Sequence, residues 1–189
     1  LLNTEDRSIT NKGDEQIFTT NVLYTKKLKK LGRNFSINLS ANVNEKSSEG
    51  FLYSKNESFN LDGSTNTSKI TDQLKTNDIT TTALSSNFTF TEPLTKRLSV
   101  VFNYGLSLNN GKADRKSFNQ STAGNYDVLD AEFSNNFTTD QLANQGGAIF
   151  SYKGKKAIVT GGLKANQVTF DQTDLYNNVN YNRSFFNWM

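Results

Sequence analysis

Histidine and cysteine are both absent from the 189 residues. Without histidine, the chain has no Ser–His or Cys–His catalytic pair and no histidine-ligated metal. Without cysteine, it has no disulfide and no thiolate metal site. The carboxylates form no spaced pair suited to acid–base chemistry. We therefore expect a protein that is not an enzyme, with no catalytic residue, no cofactor and no metal site.

Long apolar runs are also missing, and none approaches the 18 residues that a transmembrane helix requires. Apolar residues make up only 34% of the chain, against roughly 45–50% in soluble domains. Aromatic residues nevertheless reach 12%, which is more than a disordered chain usually carries. The net charge of +3 is small, and the densest basic run, Lys26–Lys30, falls at a turn. We expect no nucleic-acid partner.

Period-two alternation is the strongest pattern that the chain does contain, and it is clearest over Arg97–Asn109. Every second residue there is apolar, and the residues between are small or polar, except Val101. The apolar set is Leu98, Val100, Phe102, Tyr104, Leu106 and Leu108. Strands of soluble domains usually have about five or six residues, whereas a strand that crosses a bilayer needs about nine to eleven. The pattern predicts a membrane-crossing strand with one lipid-facing side and one wet side.

The same alternation recurs over Asn34–Asn44 and Asp72–Thr91. It adds six residues to the predicted lipid-facing set, namely Phe35, Ile37, Leu39, Val43, Phe88 and Phe90. Aromatic residues crowd the short turns, where the aromatic girdle of a membrane barrel is expected.

Short turns alternate along the chain with long polar segments that we interpret as loops. The turns lie near 29–33, 92–96 and 153–156, and the loops near 45–71, 110–125 and 171–182. Short turns at one end and long loops at the other are typical of up-and-down barrels. We predict an all-β fold over residues 1–189, an antiparallel up-and-down meander of about six to seven strands that forms part of a transmembrane β-barrel.

Two stretches, Leu23–Ile37 and Val43–Gly50, resemble the barrel portion of the Bacteroidetes outer membrane β-barrel family, which is related to TonB-dependent receptors. The resemblance also covers Glu92–Leu94 and the strand at Trp188. It implies a location in the bacterial outer membrane and nutrient uptake through a closed barrel of about 22 strands with an N-terminal plug. Because the chain opens at Leu1 rather than at methionine, we expect it to be a piece of a longer protein.

The expected partners follow from a barrel piece in a membrane. They are membrane lipid, the remaining strands of the same barrel, and as further candidates a surface lipoprotein or other subunits of an outer-membrane complex. Two alternatives to a nutrient transporter stay open. One is a non-transporting structural or assembly barrel subunit, and the other is a soluble β-sandwich adhesin that buries the same alternation against a second sheet.

Two weaker signals lie in the polar segments. Asn60–Ser64 partly matches a calcium loop, but Lys69 stands where the EF-hand pattern requires glutamate, so we prefer a polar surface loop. Aromatic residues in these segments are suited either to stacking on sugars or to packing loop against loop. They are Phe51, Tyr53, Phe59, Tyr126 and Tyr176.

Overall fold

The computed structural model describes residues 2–188, which form one sheet of eight antiparallel strands. The strands are β1 (Leu2–Lys27), β2 (Asn34–Phe59), β3 (Thr65–Pro93), β4 (Leu98–Gln120), β5 (Tyr126–Leu129), β6 (Asn135–Lys153), β7 (Ile158–Asp174) and β8 (Val179–Trp188). No helix in this range is both long enough and apolar enough to cross a membrane.

The strands follow one another across the sheet in the order β1-β2-β3-β4-β6-β7-β8. The short strand β5 pairs with the far end of β4, beyond the point where β6 begins. Every neighbouring pair is antiparallel. The predicted up-and-down meander is therefore confirmed, with eight strands in the described residues where about six to seven were predicted.

The connections alternate between two ends of the sheet. One end, called here the turn end, carries the connections at 28–33, 94–97 and 154–157. The other, the tip end, carries 60–64, 121–125 and 175–178. At the turn end, the Leu28 amide donates to the Arg33 carbonyl oxygen across 2.9 Å. Gly32 takes a φ of 82°, which glycine adopts without the steric penalty that other residues carry.

The segments interpreted as long loops are mostly strand. β2 continues to Phe59 and β3 starts at Thr65, so only five residues remain between them. β4 likewise continues to Gln120, and β7 continues to Asp174. These outer parts of the strands are mostly polar on both faces, with scattered apolar residues such as Leu52, Leu74 and Ile79, so they show no sustained hydropathy alternation. The backbone ladder, which does not depend on side-chain polarity, holds them in the sheet.

The register defines two faces of the sheet, because directly opposed residues of antiparallel strands project to the same side. Phe35, Phe90 and Phe102 stand opposite one another across β2, β3 and β4. We call the side that carries them the apolar face and the other side the polar face. Val100 is the single buried apolar side chain in residues 2–188, with 2% of its surface exposed. The sheet thus has almost no core of its own.

Candidate functional site

All twelve residues predicted to meet lipid lie on the apolar face. Phe35, Ile37, Leu39 and Val43 come from β2, Phe88 and Phe90 from β3, and Leu98, Val100, Phe102, Tyr104, Leu106 and Leu108 from β4. We call the part of the face that spans Phe35–Val43, Leu84–Phe90 and Leu98–Leu108 the apolar band. The β4 part has about eleven residues, or about 36 Å along the strand. At a tilt near 45° it rises about 25 Å, the height of the apolar band of membrane barrels.

Aromatic rings gather on the apolar face near the turn end. The ring centroids of Tyr24 and Phe35 are 5.9 Å apart, and those of Phe35 and Phe88 are 6.3 Å apart. This row matches the position of an interfacial girdle, where aromatic rings meet both lipid and headgroups.

An ion cluster lies beside this row, at the turn-end border of the apolar band, where Glu92 is one row beyond Phe90 and opposite Val100. Arg33 donates two hydrogen bonds to Glu92, one from Nε at 2.5 Å and one from Nη2 at 2.8 Å. Lys30 Nζ donates a third at 2.6 Å. The hydrogen bonds from Arg33, and then from Lys30, lower the pKa of the Glu92 carboxyl to about 2. The cluster ties the turn at 28–33 to the end of β3.

The polar face is uncharged on β2, β3, β4 and β6 over most of the length of the apolar band, and Lys164 of β7 lies next to this part, opposite Gly147. Between the rows of Asn34 and Thr139, its residues on β2, β3, β4 and β6 are mainly amides, hydroxyls and glycines. They are Asn34, Ser36, Asn38, Ser40, Asn42, Asn44, Thr81, Ala83, Ser85, Asn87, Thr89, Thr91, Val101, Asn103, Gly105, Ser107, Asn109, Gly111, Thr139, Gln141, Ala143, Gln145, Gly147 and Ile149. Cross-strand bonds join some of them, such as Thr89 to Asn103 Oδ1 at 3.0 Å. The side chains of these four strands offer hydrogen-bond donors and acceptors but carry no charge.

A hollow of about 440 Å³ opens on the polar face over Gly111. Nine residues from β3, β4 and β6 form its floor as a three-by-three grid. The rows are Ile79–Ala113–Phe137, Thr81–Gly111–Thr139 and Ala83–Asn109–Gln141. A Cβ at Gly111 would lie 3.8 Å from Thr139 Cβ and 4.0 Å from Thr81 Cγ2. The central glycine therefore leaves open space that a ligand can enter.

A buried polar cluster closes the tip end of β3 and β4. The Gln73 side chain, 2% exposed, donates from Nε2 to Asn119 Oδ1 and to Asp130 Oδ2, each at 2.9 Å. Asn119 Nδ2 also donates to Asp130 Oδ2, at 3.0 Å. The amide of Ser117 donates to Ser134 Oγ at 3.0 Å. These bonds fix the segment between β5 and β6 against the sheet.

Sequence reasoning missed both the hollow and the cluster. Gly111 falls in the segment 110–125 that the sequence pattern assigned to a loop, where a glycine is expected and gives no separate signal. No local pattern links Gln73 to Asp130, because they are 57 residues apart and meet only through the register of β3 with β4.

The structure shows local side-chain contacts at both of the weaker sequence signals. In Asn60–Ser64, Asp62 Oδ1 accepts bonds from the Ser64 amide and hydroxyl at 2.9 and 2.6 Å, which lowers the pKa of Asp62. Phe51 and Tyr126 pack edge to face with centroids 5.2 Å apart. The Tyr126 hydroxyl donates to Asp72 Oδ1 at 2.8 Å. Residues 2–188 hold no group of three acidic, histidine or cysteine side chains placed to bind a metal.

The long amphipathic strands correspond to a known family. The model of the outer membrane protein beta-barrel family matches residues 26–189. The chain belongs to this family. Membership places this outer membrane β-barrel protein in the outer membrane, so the predicted location is confirmed, as is the prediction that the sheet forms part of a transmembrane barrel. The β-sandwich interpretation is wrong, because residues 2–188 form one sheet and not two packed sheets.

No curated protein matches this outer membrane β-barrel protein in sequence. Among solved structures, it is similar to the ferric citrate transporter FecA in the unliganded form, with 7% sequence identity and a TM-score of 0.42. The similarity covers 82% of this chain and 24% of that chain.

Proposed function

We propose that this chain is part of the wall of a nutrient transporter of the TonB-dependent receptor type, from a bacterium of the Bacteroidetes. The observation that carries the proposal is the division of the sheet into two faces. The apolar band has the height of a bilayer core, and the polar face, uncharged on β2, β3, β4 and β6, lies directly behind it. A wall of this kind separates lipid from a wet lumen.

In this arrangement the apolar face contacts lipid and the polar face lines the lumen. The strand ends support an orientation with the turn end in the periplasm, because outer-membrane barrels have short periplasmic turns and long extracellular extensions. β2 and β3 continue well past the apolar band towards their shared tip at 60–64. Resemblance to the Bacteroidetes family over Leu23–Ile37 supports the proposed source.

The partners follow from the same geometry. In residues 2–188, β1 and β8 each pair with one neighbour, so each presents a free row of backbone groups. Such edges are unfavourable in lipid, because no water is present there to form hydrogen bonds with their free N–H and C=O groups. We propose that the remaining strands of the same barrel cover them, and that a surface lipoprotein or another outer-membrane subunit docks at the tip end. We propose no catalytic activity for the chain.

Deletion of the gene for the full-length protein tests the transport proposal. Cells that lack the gene are grown on a panel of single carbon, nitrogen and iron sources, beside cells complemented with the wild-type gene. The proposal expects growth on at least one source to fail and to return on complementation. It also expects uptake of that source to stop when a protonophore collapses the inner-membrane potential. Normal growth on every source, with loss of another outer-membrane complex, would support a structural or assembly subunit.

A further inference from the structure

We propose that the hollow over Gly111 binds a sugar ring of a neutral oligosaccharide. The inference rests on the proposed function, since a lumen face meets solutes only if the barrel admits them. It adds the chemical class of the ligand and the residues that contact it. The hollow begins at Asn109, next to Leu108 at the tip-end edge of the apolar band, and continues to Ala113, five residues beyond Leu108. In the proposed orientation it lies near the outer mouth of the lumen.

The floor of the hollow is apolar at one end and polar at the other. Ile79, Ala113 and Phe137 form the apolar row, with the Phe137 ring half-buried beside the open space. At the opposite row, Asn109 Nδ2 donates to Gln141 Oε1 at 3.3 Å. That bond uses one polar atom of each carboxamide, so Asn109 Oδ1 and Gln141 Nε2 remain as an acceptor and a donor.

A sugar ring has the complementary construction. Its C–H face is apolar and packs on apolar and aromatic side chains, while its hydroxyl groups at the rim both donate and accept hydrogen bonds. A carboxamide offers a donor and an acceptor side by side, which suits a hydroxyl group. The volume of about 440 Å³ is within the range of small-molecule sites.

The charges around the hollow favour a neutral ligand. None of the nine floor residues is charged. Lys46 pairs with Ile79 from β2, and Arg115 lies on the same face, two residues beyond Ala113, where its Nε donates to Asn77 Oδ1 at 3.0 Å. Lys112 reaches the edge from the other face of β4. Asp174 of β7 pairs with Phe137 on the same face. Charges of both signs therefore stand only at the rim, and a charged group on the floor would lose its hydration without a counter-ion beside it.

The test uses the purified full-length protein in detergent on a printed array of neutral, sialylated and uronic-acid glycans, followed by titration calorimetry with the strongest neutral glycan. Gly111→Leu fills the hollow, and the contacts of its Cβ, at 3.8 and 4.0 Å, are ordinary packing distances, so the variant is expected to fold. We expect it to weaken binding at least tenfold. The matched control Thr138→Ala changes a residue beside Thr139 that lies on the other face and does not line the hollow, and it is expected to stay within twofold of wild type.

Three results would overturn the inference: no signal on the array, signal confined to acidic glycans, or wild-type affinity in Gly111→Leu. The binding assay needs no transport, so its outcome is separate from the growth experiment. Glycan binding by a protein whose deletion leaves growth unchanged would refute the transport role and retain the site. A transport phenotype without glycan binding would refute the glycan site and retain the transport role.

Discussion

The Tyr104 hydroxyl donates a hydrogen bond to Asn144 Oδ1 across 2.9 Å, on the apolar face and within the rows of the apolar band. If the apolar face contacts lipid, as proposed, lipid offers the carboxamide of Asn144 no hydrogen-bond partner. We expect Tyr104→Phe to destabilise the barrel by about 1 kcal/mol, in line with polar contacts measured in membranes. Urea unfolding of the full-length protein in lipid vesicles measures the change.

The double variant Tyr104→Phe/Asn144→Leu is the matched control for this pair. Replacing both partners by apolar groups removes the unpaired amide, so stability is expected to return to within a few tenths of a kcal/mol of wild type or above it. An unchanged stability in Tyr104→Phe alone would mean that water reaches Asn144, against the lipid-facing assignment.

Arginine substitutions separate the two faces directly. Phe102→Arg or Leu106→Arg on the apolar face is expected to destabilise the barrel by roughly 2–4 kcal/mol near the bilayer midplane, and less near the interface. Asn103→Arg, between them on the polar face, is expected to be tolerated, apart from the loss of its bond with Thr89. The same unfolding experiment measures all three. Equal losses at the two kinds of position would contradict the face assignment.

Cysteine labelling tests the same assignment without a large change in stability, because the chain contains no cysteine of its own. Leu106→Cys is expected to resist a water-soluble maleimide in intact outer-membrane vesicles. Ser107→Cys, the next residue, is expected to react through the lumen. Mass spectrometry of the labelled strand reports both. Faster labelling at 106 than at 107 would reverse the two faces.

The Glu92 cluster predicts a loss of stability in acid. The pKa of Glu92 is lowered from 4.5 to about 2 by hydrogen bonds from Arg33 and then Lys30. The unfolded chain therefore binds the proton first as pH falls, so the contribution is full above pH 4.5 and is lost as the pH drops towards 2. We expect the thermal midpoint to fall across this window in wild type and to fall less in Glu92→Gln. Glu132→Gln is the control, since Glu132 bonds to Asp130 through its backbone amide.

The buried polar cluster at the tip end predicts that a substitution in it opens only the neighbouring segment. Asp130→Ala removes the acceptor shared by Gln73 and Asn119, and leaves a buried Gln73 N–H unpaired at a penalty of about 1–3 kcal/mol. We expect faster hydrogen exchange and protease cleavage between 121 and 134, with the membrane part of the barrel unchanged. Asp127→Ala, an exposed carboxylate on β5, is the control. Protection equal to wild type in Asp130→Ala would show that backbone bonds alone hold the segment.

The strands of the apolar band were predictable because lipid imposes a pattern on the chain. Leu98–Leu108 must present an apolar residue at every second position, and the register of β4 with β3 then places Phe90 beside Phe102. The outer half of β3, from Thr65 to Thr82, has no such requirement and is mostly polar on both sides, with Ile70, Leu74 and Ile79 as scattered apolar residues. A polar strand and a polar loop have the same composition, so the hydropathy pattern could not separate them.

The candidate site depends on contacts that no local pattern encodes. Phe137 joins Ile79 and Ala113 only because three strands are in register across the sheet. The same pairing makes Gly111 the centre of a grid, where the sequence shows only a glycine between two polar residues. The alternation assigns Asn109 to the polar face, and it carries no information on the residues beyond Asn109 or on which neighbours they meet.

The outer parts of β2 and β3 extend far beyond the membrane. From Val43 to Phe59 there are about 16 residues, or about 53 Å along the strand. At a barrel tilt of 35–45° they rise about 40 Å above the apolar band. In the proposed orientation the hairpin tip at 60–64 then stands clear of the lipid headgroups on the outer side of the membrane. Sequence changes at the tip would alter this exposed surface, while the paired strands below remain bound by their shared register.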